Sequence, residues 1–327
     1  MTTMTPRPSP GADRAARRPP SRTAPGLQAL RLLLAVASAT AMAAPAAERA
    51  RALLQPGTPS GDFALEQAMA CGSTDVAAPQ FYFWTGQVYG RRAGEPDRLL
   101  FEVQGVNPRA CRRVEDPARG SGYQAAAREL MLYLDPETRQ VLDTWRNPWT
   151  GELVRVIHME NDPASMRAPA FPLDAQGRPT PARLGFVDMG RSWVATRSSS
   201  FFRDSPLGGG YQDYVGGKYR VMELSTFTLP RAEVEAWRPG RPLPYTATWV
   251  RISDWLPWMK MAGREGQMVL TSQGRSTLAF DELPEPLRST IASRYPAMRR
   301  TPEFDDPRPF QTSWDSLRKA LDEARGP

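Results

Sequence analysis

The chain has 327 residues, of which 41% are hydrophobic and 9% aromatic; this suits one large domain or two small ones and excludes wholesale disorder. Its net charge of +7 is concentrated at the start, because six arginines and one aspartate precede Ala47. Charges of both signs are interspersed in the rest of the chain. The composition therefore does not indicate a nucleic-acid binder, and we expect no nucleic-acid partner.

Residues 1–46 predict an N-terminal leader and signal peptide. A polar, Pro- and Arg-rich run precedes the apolar segment Leu27–Ala44, which ends in small residues suitable for cleavage. The apolar run after Arg31 is too short to span a membrane, so we expect cleavage and no stable membrane span afterwards. The predicted location is periplasmic or secreted. Arg17-Arg18 suggests the twin-arginine route, but Pro19-Pro20 follow it, so the Sec route stays open.

The chain after the leader predicts one helix and then strands. A polar cap followed by apolar residues predicts a helix over Ser60–Gly72. The aromatic and β-rich segments Gln80–Gly90 and Arg98–Val106 predict a hairpin with a long loop. Asn107–Gly122 is polar and predicts a loop.

The two cysteines are Cys71 and Cys111. Their spacing fits no metal motif, and we expect neither a metal nor a cofactor. In an exported protein they could form a disulfide, but the sequence does not show whether their side chains meet.

The segment Glu129–Pro163 is dense in Trp, Asp, Asn and Pro, and it contains the only histidine. It predicts three strands, Glu129–Leu134, Gln140–Trp145 and Glu152–Glu160, whose residues fit a pleated surface. Asp-Pro and Asn-Pro pairs between them predict tight turns, because Asp and Asn bond nearby backbone and Pro presets φ.

This segment also carries a family resemblance. The run LYLDPETxxVLDTWxNPWTGE, followed by H-x-x-NDP, resembles the signature of the uncharacterised family DUF1838 (domain of unknown function 1838). Three later segments also resemble it: Trp249–Arg251, Trp255–Met259 and Gln311–Trp314. The resemblance covers approximately residues 63 to 320 and implies no established activity.

The second half predicts further strands and three helices. The predicted strands are Leu184–Met189, Ser192–Phe202, Lys218–Leu229, Tyr245–Ser253 and a hairpin formed by Gln267–Thr271 and Ser276–Phe280 around Gln273-Gly274. The predicted helices are Arg231–Trp237, Glu285–Tyr295 and Ser313–Ala324.

Many short strands without regular β–α alternation argue against a Rossmann fold or a TIM barrel. An antiparallel meander of this width is expected to curl into a barrel or a sandwich. We therefore predict a mainly β protein: a single antiparallel barrel-like (calycin/lipocalin-like) domain over residues 60–327, with flanking short helices.

His158 is the best candidate for chemistry. With Asp162 as an orienting carboxylate it could act as a general base. Val154, Val156, His158 and Glu160 would share one face of the predicted strand. The alternative is a structural histidine, with Asp162 only shaping the turn before Pro163.

A second group of residues predicts a ligand pocket. Aromatic side chains with a few arginines suit a small aromatic or carboxylated molecule. Glu223, like Glu129, is an acid on an otherwise apolar strand; facing inward, it would be costly unless paired with an arginine. The candidate ligand-binding residues are Trp145, Arg146, Trp149, Glu223, Trp249, Arg251 and Trp258. Alternatively, the tryptophans are simply core.

The sequence favours an exported protein that binds a small apolar or aromatic molecule in a β-barrel cavity. One alternative is an enzyme, a lyase, isomerase or hydrolase of an aromatic compound, with His158 as general base and Arg146 or Arg251 holding the substrate. Another is an exported structural or protein-interaction module. Convergence of His158 with a carboxylate in a cavity would favour the enzyme, and an apolar cavity without it would favour the binding protein.

Overall fold

The computed structural model describes residues 55–164, 166–169, 171, 174–178, 184–205, 207, 211, 217–237 and 242–325. The predicted leader, residues 1–46, lies outside these described residues. Within them the chain forms four α-helices: α1 (Pro59–Ala70), α2 (Arg231–Ala236), α3 (Leu287–Arg294) and α4 (Ser313–Arg325). No helix in the described ranges is long and apolar enough to cross a membrane.

The described strands are numbered in chain order. They are β1 (Gln80–Arg91), β2 (Arg98–Asp116), β3 (Gly120–Ala127), β4 (Glu129–Leu134), β5 (Thr144–Arg146), β6 (Leu153–Arg155), β7 (Met159–Asn161), β8 (Met166–Pro169), β9 (Val187–Asp188), β10 (Ser192–Asp204), β11 (Lys218–Pro230), β12 (Thr246–Ser253) and β13 (Gln267–Thr277). Short 3₁₀ turns lie at Pro257–Met259, Phe280–Glu282 and Pro296–Arg299.

Eleven strands form one antiparallel sheet in the order β7-β4-β2-β1-β13-β12-β11-β10-β9. The second half of β2 leaves this path and pairs with β3, which pairs in turn with β8. A separate hairpin is formed by β5 and β6. The prediction of a mainly β, antiparallel protein with short helices is confirmed. Among the described pairs the end strands β7 and β9 do not join, so the predicted closed, calycin/lipocalin-like barrel is not confirmed.

The sheet is nevertheless strongly curled, as shown by distant strands that meet on one face. In a flat sheet the five spacings from β4 to β11, at ~4.8 Å each, would separate these strands by roughly 24 Å. Yet Tyr133 on β4 and Tyr219 on β11 line the same cavity. We call this the inner face; it also carries Trp84 and Arg251.

The opposite, outer face packs against the C-terminal part of the chain. On β4, Leu130 and Leu132 point outward while Met131 and Tyr133 point inward, as the two-residue period of a strand requires. The outward leucines pack with Leu287 of α3 in one buried cluster.

Helices α1 and α4 cover different ends of the inner face. Leu65 of α1 packs with Leu229 at the end of β11. Trp314 of α4 packs against Tyr219 near the start of β11, with ring centroids 4.5 Å apart. Between the two helices, Tyr82 and Trp84 of β1 stack on each other on the inner face.

The loop predicted over Asn107–Gly122 is wrong, because β2 continues to Asp116 and β3 begins at Gly120. Ala110 and Cys111 are buried and lie opposite Ala126 and Ala125 of β3. Small side chains at these positions let the two strands pack into the core despite the polar residues around them.

The hairpin predicted around Gln273-Gly274 is also wrong. Gln267–Thr277 is one strand that pairs with β1 on one side and β12 on the other. A Cβ at Gly274 would lie 2.6 Å from the hydroxyl oxygen of Tyr82. The glycine therefore marks a close approach to a neighbouring side chain rather than a turn.

The strand predicted over Glu152–Glu160 is interrupted. β6 ends at Arg155 and β7 begins at Met159, and the strand predicted over Gln140–Trp145 is reduced to β5 and one bridge at Val141. His158 therefore lies between two strands, and its orientation does not follow from strand alternation.

Cys71 and Cys111 form a disulfide, with their Cα atoms 5.2 Å apart. The bond ties the residue that follows α1 to the middle of β2. This resolves the question that the sequence left open.

Candidate functional site

A cavity lies between the inner face and α4, and we call it the aromatic cavity. Its volume is about 60 Å³. Its wall is mostly apolar, and eight of its residues are aromatic or methionine: Met131, Tyr133, Met159, Tyr219, Trp249, Trp258, Met268 and Trp314. The main charged group in this wall is Arg251, so the electrostatics of the site depend on how that arginine is held.

Arg251 is held by two partners from β11. Its Nη1 donates to Glu223 Oε1 at 2.7 Å, and its Nη2 donates to the Tyr219 hydroxyl oxygen at 2.6 Å. Glu223 and Arg251 lie directly opposite each other on β11 and β12, which explains the pairing. The Arg251 and Glu223 side chains are 26% and 31% exposed, so both are largely removed from water.

The guanidinium of Arg251 stays charged in this setting. Burial opposes the charge, but Tyr219 and Glu223 outweigh it and raise the pKa of Arg251. A guanidinium has five N–H donors, and two are used in these bonds. Among the described residues the other three have no hydrogen-bond acceptor, so they can serve a ligand.

Trp258 joins the cavity to the core. Its ring lies 5.4 Å from Tyr133 and 5.6 Å from Phe101, measured between centroids. The Trp258 Nε1 atom is buried and has no hydrogen-bond partner among the described residues. The site therefore has a second donor that lacks an acceptor, in a wall where burial also raises the pKa of the Tyr133 hydroxyl.

His158 lines the aromatic cavity and a neighbouring polar one. Its Nδ1 accepts a hydrogen bond from the backbone N–H of Tyr133 at 3.2 Å. The ring thus replaces the backbone acceptor that a neighbouring strand would supply. Burial lowers the pKa of His158 to about 4; Arg294 adds to this and Asp143 opposes it. The ring is therefore neutral at pH 7 and carries its proton on Nε2.

The predicted pair of His158 and Asp162 is not assembled. The Asp162 carboxylate lies 2.9 Å from Arg128 Nε and 2.9 Å from Arg308 Nη2. No hydrogen bond between Asp162 and His158 exists among the described residues. Since Nδ1 is occupied and Nε2 carries the proton, the geometry gives His158 a donor rather than a free acceptor.

Three predicted ligand-binding residues lie outside the aromatic cavity wall. Trp145 packs against Phe101 in the core, with ring centroids 5.1 Å apart. Arg146 is exposed and donates to the backbone oxygen of Gly151 at 2.8 Å. Trp149 packs against Trp255 at 5.0 Å between ring centroids. Of the other four, Trp249, Arg251 and Trp258 line the cavity, and Glu223 reaches it through Arg251.

Sequence reasoning missed Tyr219 and Trp314. Tyr219 shares the strand face of Val221 and Glu223, so the two-residue period could have found it. Trp314 comes from α4, and nothing in its local sequence places it beside β11.

Glu129 adds a further ionisable group to the inner face. Its Oε2 accepts from Asn161 Nδ2 at 2.8 Å. Burial raises the pKa of Glu129, while Asn161 and the charges of Arg109 and Arg251 oppose that rise. No group of three or more His, Cys, Asp or Glu side chains in the described ranges is placed to hold a metal ion.

Fold and site together define a mainly β protein with an aromatic-rich cavity around one buried arginine. The chain belongs to the family described as protein of unknown function (DUF1838), whose sequence model matches residues 77–321, about three quarters of the chain. The resemblance drawn from the segment Glu129–Pro163 is thereby confirmed. A comparison with curated proteins gave no match.

Proposed function

We propose that this chain is an exported protein that binds a small apolar or aromatic molecule carrying an oxygen acceptor in the aromatic cavity. The observation that carries the proposal is Arg251. A charged guanidinium with three uncommitted N–H donors lies in a wall that is otherwise mostly apolar and rich in aromatic residues and methionine. Small-molecule sites combine an apolar lining with a few fixed polar groups in this way.

We expect the ligand group that accepts hydrogen bonds from Arg251 to be uncharged or weakly polar. Glu223 already balances the charge of Arg251, so a full carboxylate would have to compete with it. A carbonyl or phenol oxygen would use the remaining donors of Arg251 without that competition.

The cavity must enlarge to accept an aromatic ring. At about 60 Å³ it is smaller than the ~150 Å³ apolar cavity that admits benzene. The cavity can enlarge by movement of Met131, Met159 and Met268, because the unbranched methionine side chain changes rotamer easily. We therefore expect an induced widening by methionine movement rather than rigid docking.

Export rests on the leader alone: a basic start, a short apolar run and small residues for cleavage. We favour binding over catalysis, because His158 has no carboxylate partner among the described residues and no free acceptor nitrogen. The presence of an apolar cavity favours binding over a purely structural or protein-interaction role.

The test combines native mass spectrometry of the exported protein with a binding assay. The double variant Arg251→Gln/Glu223→Gln removes the charged pair without leaving one charge unpaired. Arg146→Gln is the matched control, since Arg146 is exposed and outside the cavity wall. Trp258 and Trp314 provide a tryptophan fluorescence signal for the occupied cavity.

We expect wild type and Arg146→Gln to retain the same small molecule. The double variant should bind it roughly 10- to 100-fold more weakly, because a hydrogen bond to a charged group contributes about 1.5–3 kcal/mol. Equal affinity in a double variant that melts like the wild type would refute the role of Arg251. A wild-type protein that carries and binds nothing would refute the binding function.

A further inference from the structure

The polar cavity beside His158 has a volume of about 340 Å³ and differs in character from the aromatic one. Its wall contains four basic and four acidic side chains: Arg155, Arg294, Arg308, Lys319, Asp143, Glu160, Asp162 and Glu323. The two cavities share Ile157 and His158, so this second space adjoins the proposed binding site without being part of it.

Half of these charges already have partners. Arg294 Nη2 lies 2.8 Å from Asp143 Oδ1, and Arg308 Nη2 lies 2.9 Å from Asp162 Oδ1. Among the described residues, Arg155, Lys319, Glu160 and Glu323 have no ion-pair partner. Arg155, Lys319 and Glu323 are exposed and Glu160 is half-buried, so two positive and two negative charges are open to a ligand that carries both signs.

His158, which lines both cavities, has a buried donor without an acceptor. His158 is only 8% exposed, and its Nε2 has no hydrogen-bond partner among the described residues. Nδ1 faces the edge of β4, so Nε2, on the far side of the ring, faces away from β4. On the polar side of His158, Asp143 and Arg294 are near enough to affect its pKa. A ligand carboxylate that reached Nε2 would accept a hydrogen bond from it.

Glu160, by contrast, lacks a positively charged partner. It is half-buried, and its carboxylate makes no hydrogen bond or ion pair among the described residues. Burial raises the pKa of Glu160; Lys319 opposes this, and Asp162 and Glu323 add to it. A ligand ammonium would supply the missing positive partner.

We propose that the polar cavity binds a small zwitterion, a molecule with a carboxylate and an ammonium group close together, as in α-amino acids. The carboxylate accepts from His158 Nε2 and faces Arg155, while the ammonium faces Glu160 and Glu323.

The single histidine makes the test direct. In a protein without a histidine tag, His158 gives one imidazole Cε1–H resonance in NMR. The probes are the common L-amino acids, with acetate and methylammonium as single-charge controls. We expect saturable movement of the His158 resonance with one or more amino acids, and at least tenfold weaker effects from either control.

The variants are Glu160→Gln and Arg155→Gln, with Glu303→Gln as the matched control because Glu303 is an exposed acid outside the cavity wall. Glu160→Gln and Arg155→Gln should each weaken the response at least tenfold, and Glu303→Gln should leave it unchanged. Thermal melts establish that each variant is folded. A His158 resonance unmoved by every amino acid, or acetate binding as strongly as the zwitterion, would overturn the proposal, as would full binding by folded Glu160→Gln.

Discussion

Lowering the pH from 7 to 4 should destabilise this protein through His158. The folded-state pKa of His158 is about 4, against 6.5 for an unburied histidine, because the buried ring resists charging. Between these values the unfolded chain takes up a proton that the folded protein does not. Stability is therefore full above pH 6.5 and falls as the pH drops towards 4.

The magnitude follows from the two pKa values. Each pKa unit is worth about 1.36 kcal/mol, so the loss attributable to His158 is about 2 kcal/mol by pH 5 and about 3 kcal/mol by pH 4. Because His158 is 8% exposed, solvent screening reduces this figure little. A loss of this size is a large share of the stability of an ordinary domain.

The assay is urea unfolding at pH 7, 6, 5 and 4.5 for wild type and His158→Gln. Glutamine keeps an acceptor for the Tyr133 N–H but does not titrate. Glu129 and Glu160 act in the opposite direction, since burial raises their pKa values and favours the folded state as pH falls. Both are present in the two proteins, so the difference between the curves isolates His158.

We expect the two curves to diverge steadily below pH 6.5, with the wild type losing more. Parallel curves across this range would refute the assignment of a neutral buried histidine. A histidine NMR titration with a midpoint near 6.5 in the folded protein would refute it independently.

Three further substitutions test how the framework is held together, each by urea unfolding at pH 7. Replacing Cys71 and Cys111 by alanine should cost roughly 4 kcal/mol, from the chain entropy of a loop with a sequence separation of 40. Asn147→Ala should cost about 3 kcal/mol, because its buried side chain donates to the Met259 backbone oxygen at 2.9 Å and accepts from two backbone N–H groups. Gly105→Ala should cost about 1–3 kcal/mol, since the new Cβ would lie 2.1 Å from the Trp84 ring.

Two matched controls accompany these changes. Asp135 accepts from two backbone N–H groups as Asn147 does but is exposed in its turn, so Asp135→Ala should cost less than about 1 kcal/mol. A Cβ at Gly217 would meet no atom within 4 Å, so Gly217→Ala should be nearly neutral. Equal losses in a variant and its control would contradict the packing argument for that site.

The sequence was informative where β-favouring residues run unbroken between turn signals. Glu129–Leu134 matches β4 at both ends, and Lys218–Leu229 matches β11 to within one residue. It failed where polar residues or a glycine lie within a strand. Gly274 suggested a turn because a glycine pattern cannot distinguish a loop from a strand crowded by Tyr82. Whether β7 and β9 meet depends on accumulated twist, which no local pattern encodes.

The site was also predictable only in part. Arg251 and Glu223 were recognisable as charged residues on strands that otherwise face a core. Trp145 and Trp149 had equal aromatic character but pack against Phe101 and Trp255 instead of lining the cavity. His158 was placed by a strand period that the chain breaks after Arg155, so its partners could not be inferred.

The open order of the sheet has a consequence for how this family can diversify. Tyr133 and Tyr219 approach each other through curvature spread over five strand interfaces, and no hydrogen-bonded seam between β7 and β9 fixes their distance in the described chain. The width of the aromatic cavity is thus set by the framework as well as by its lining. Substitutions at positions of β1 or β13 that do not line the cavity can retune which molecules fit while every contacting side chain stays the same.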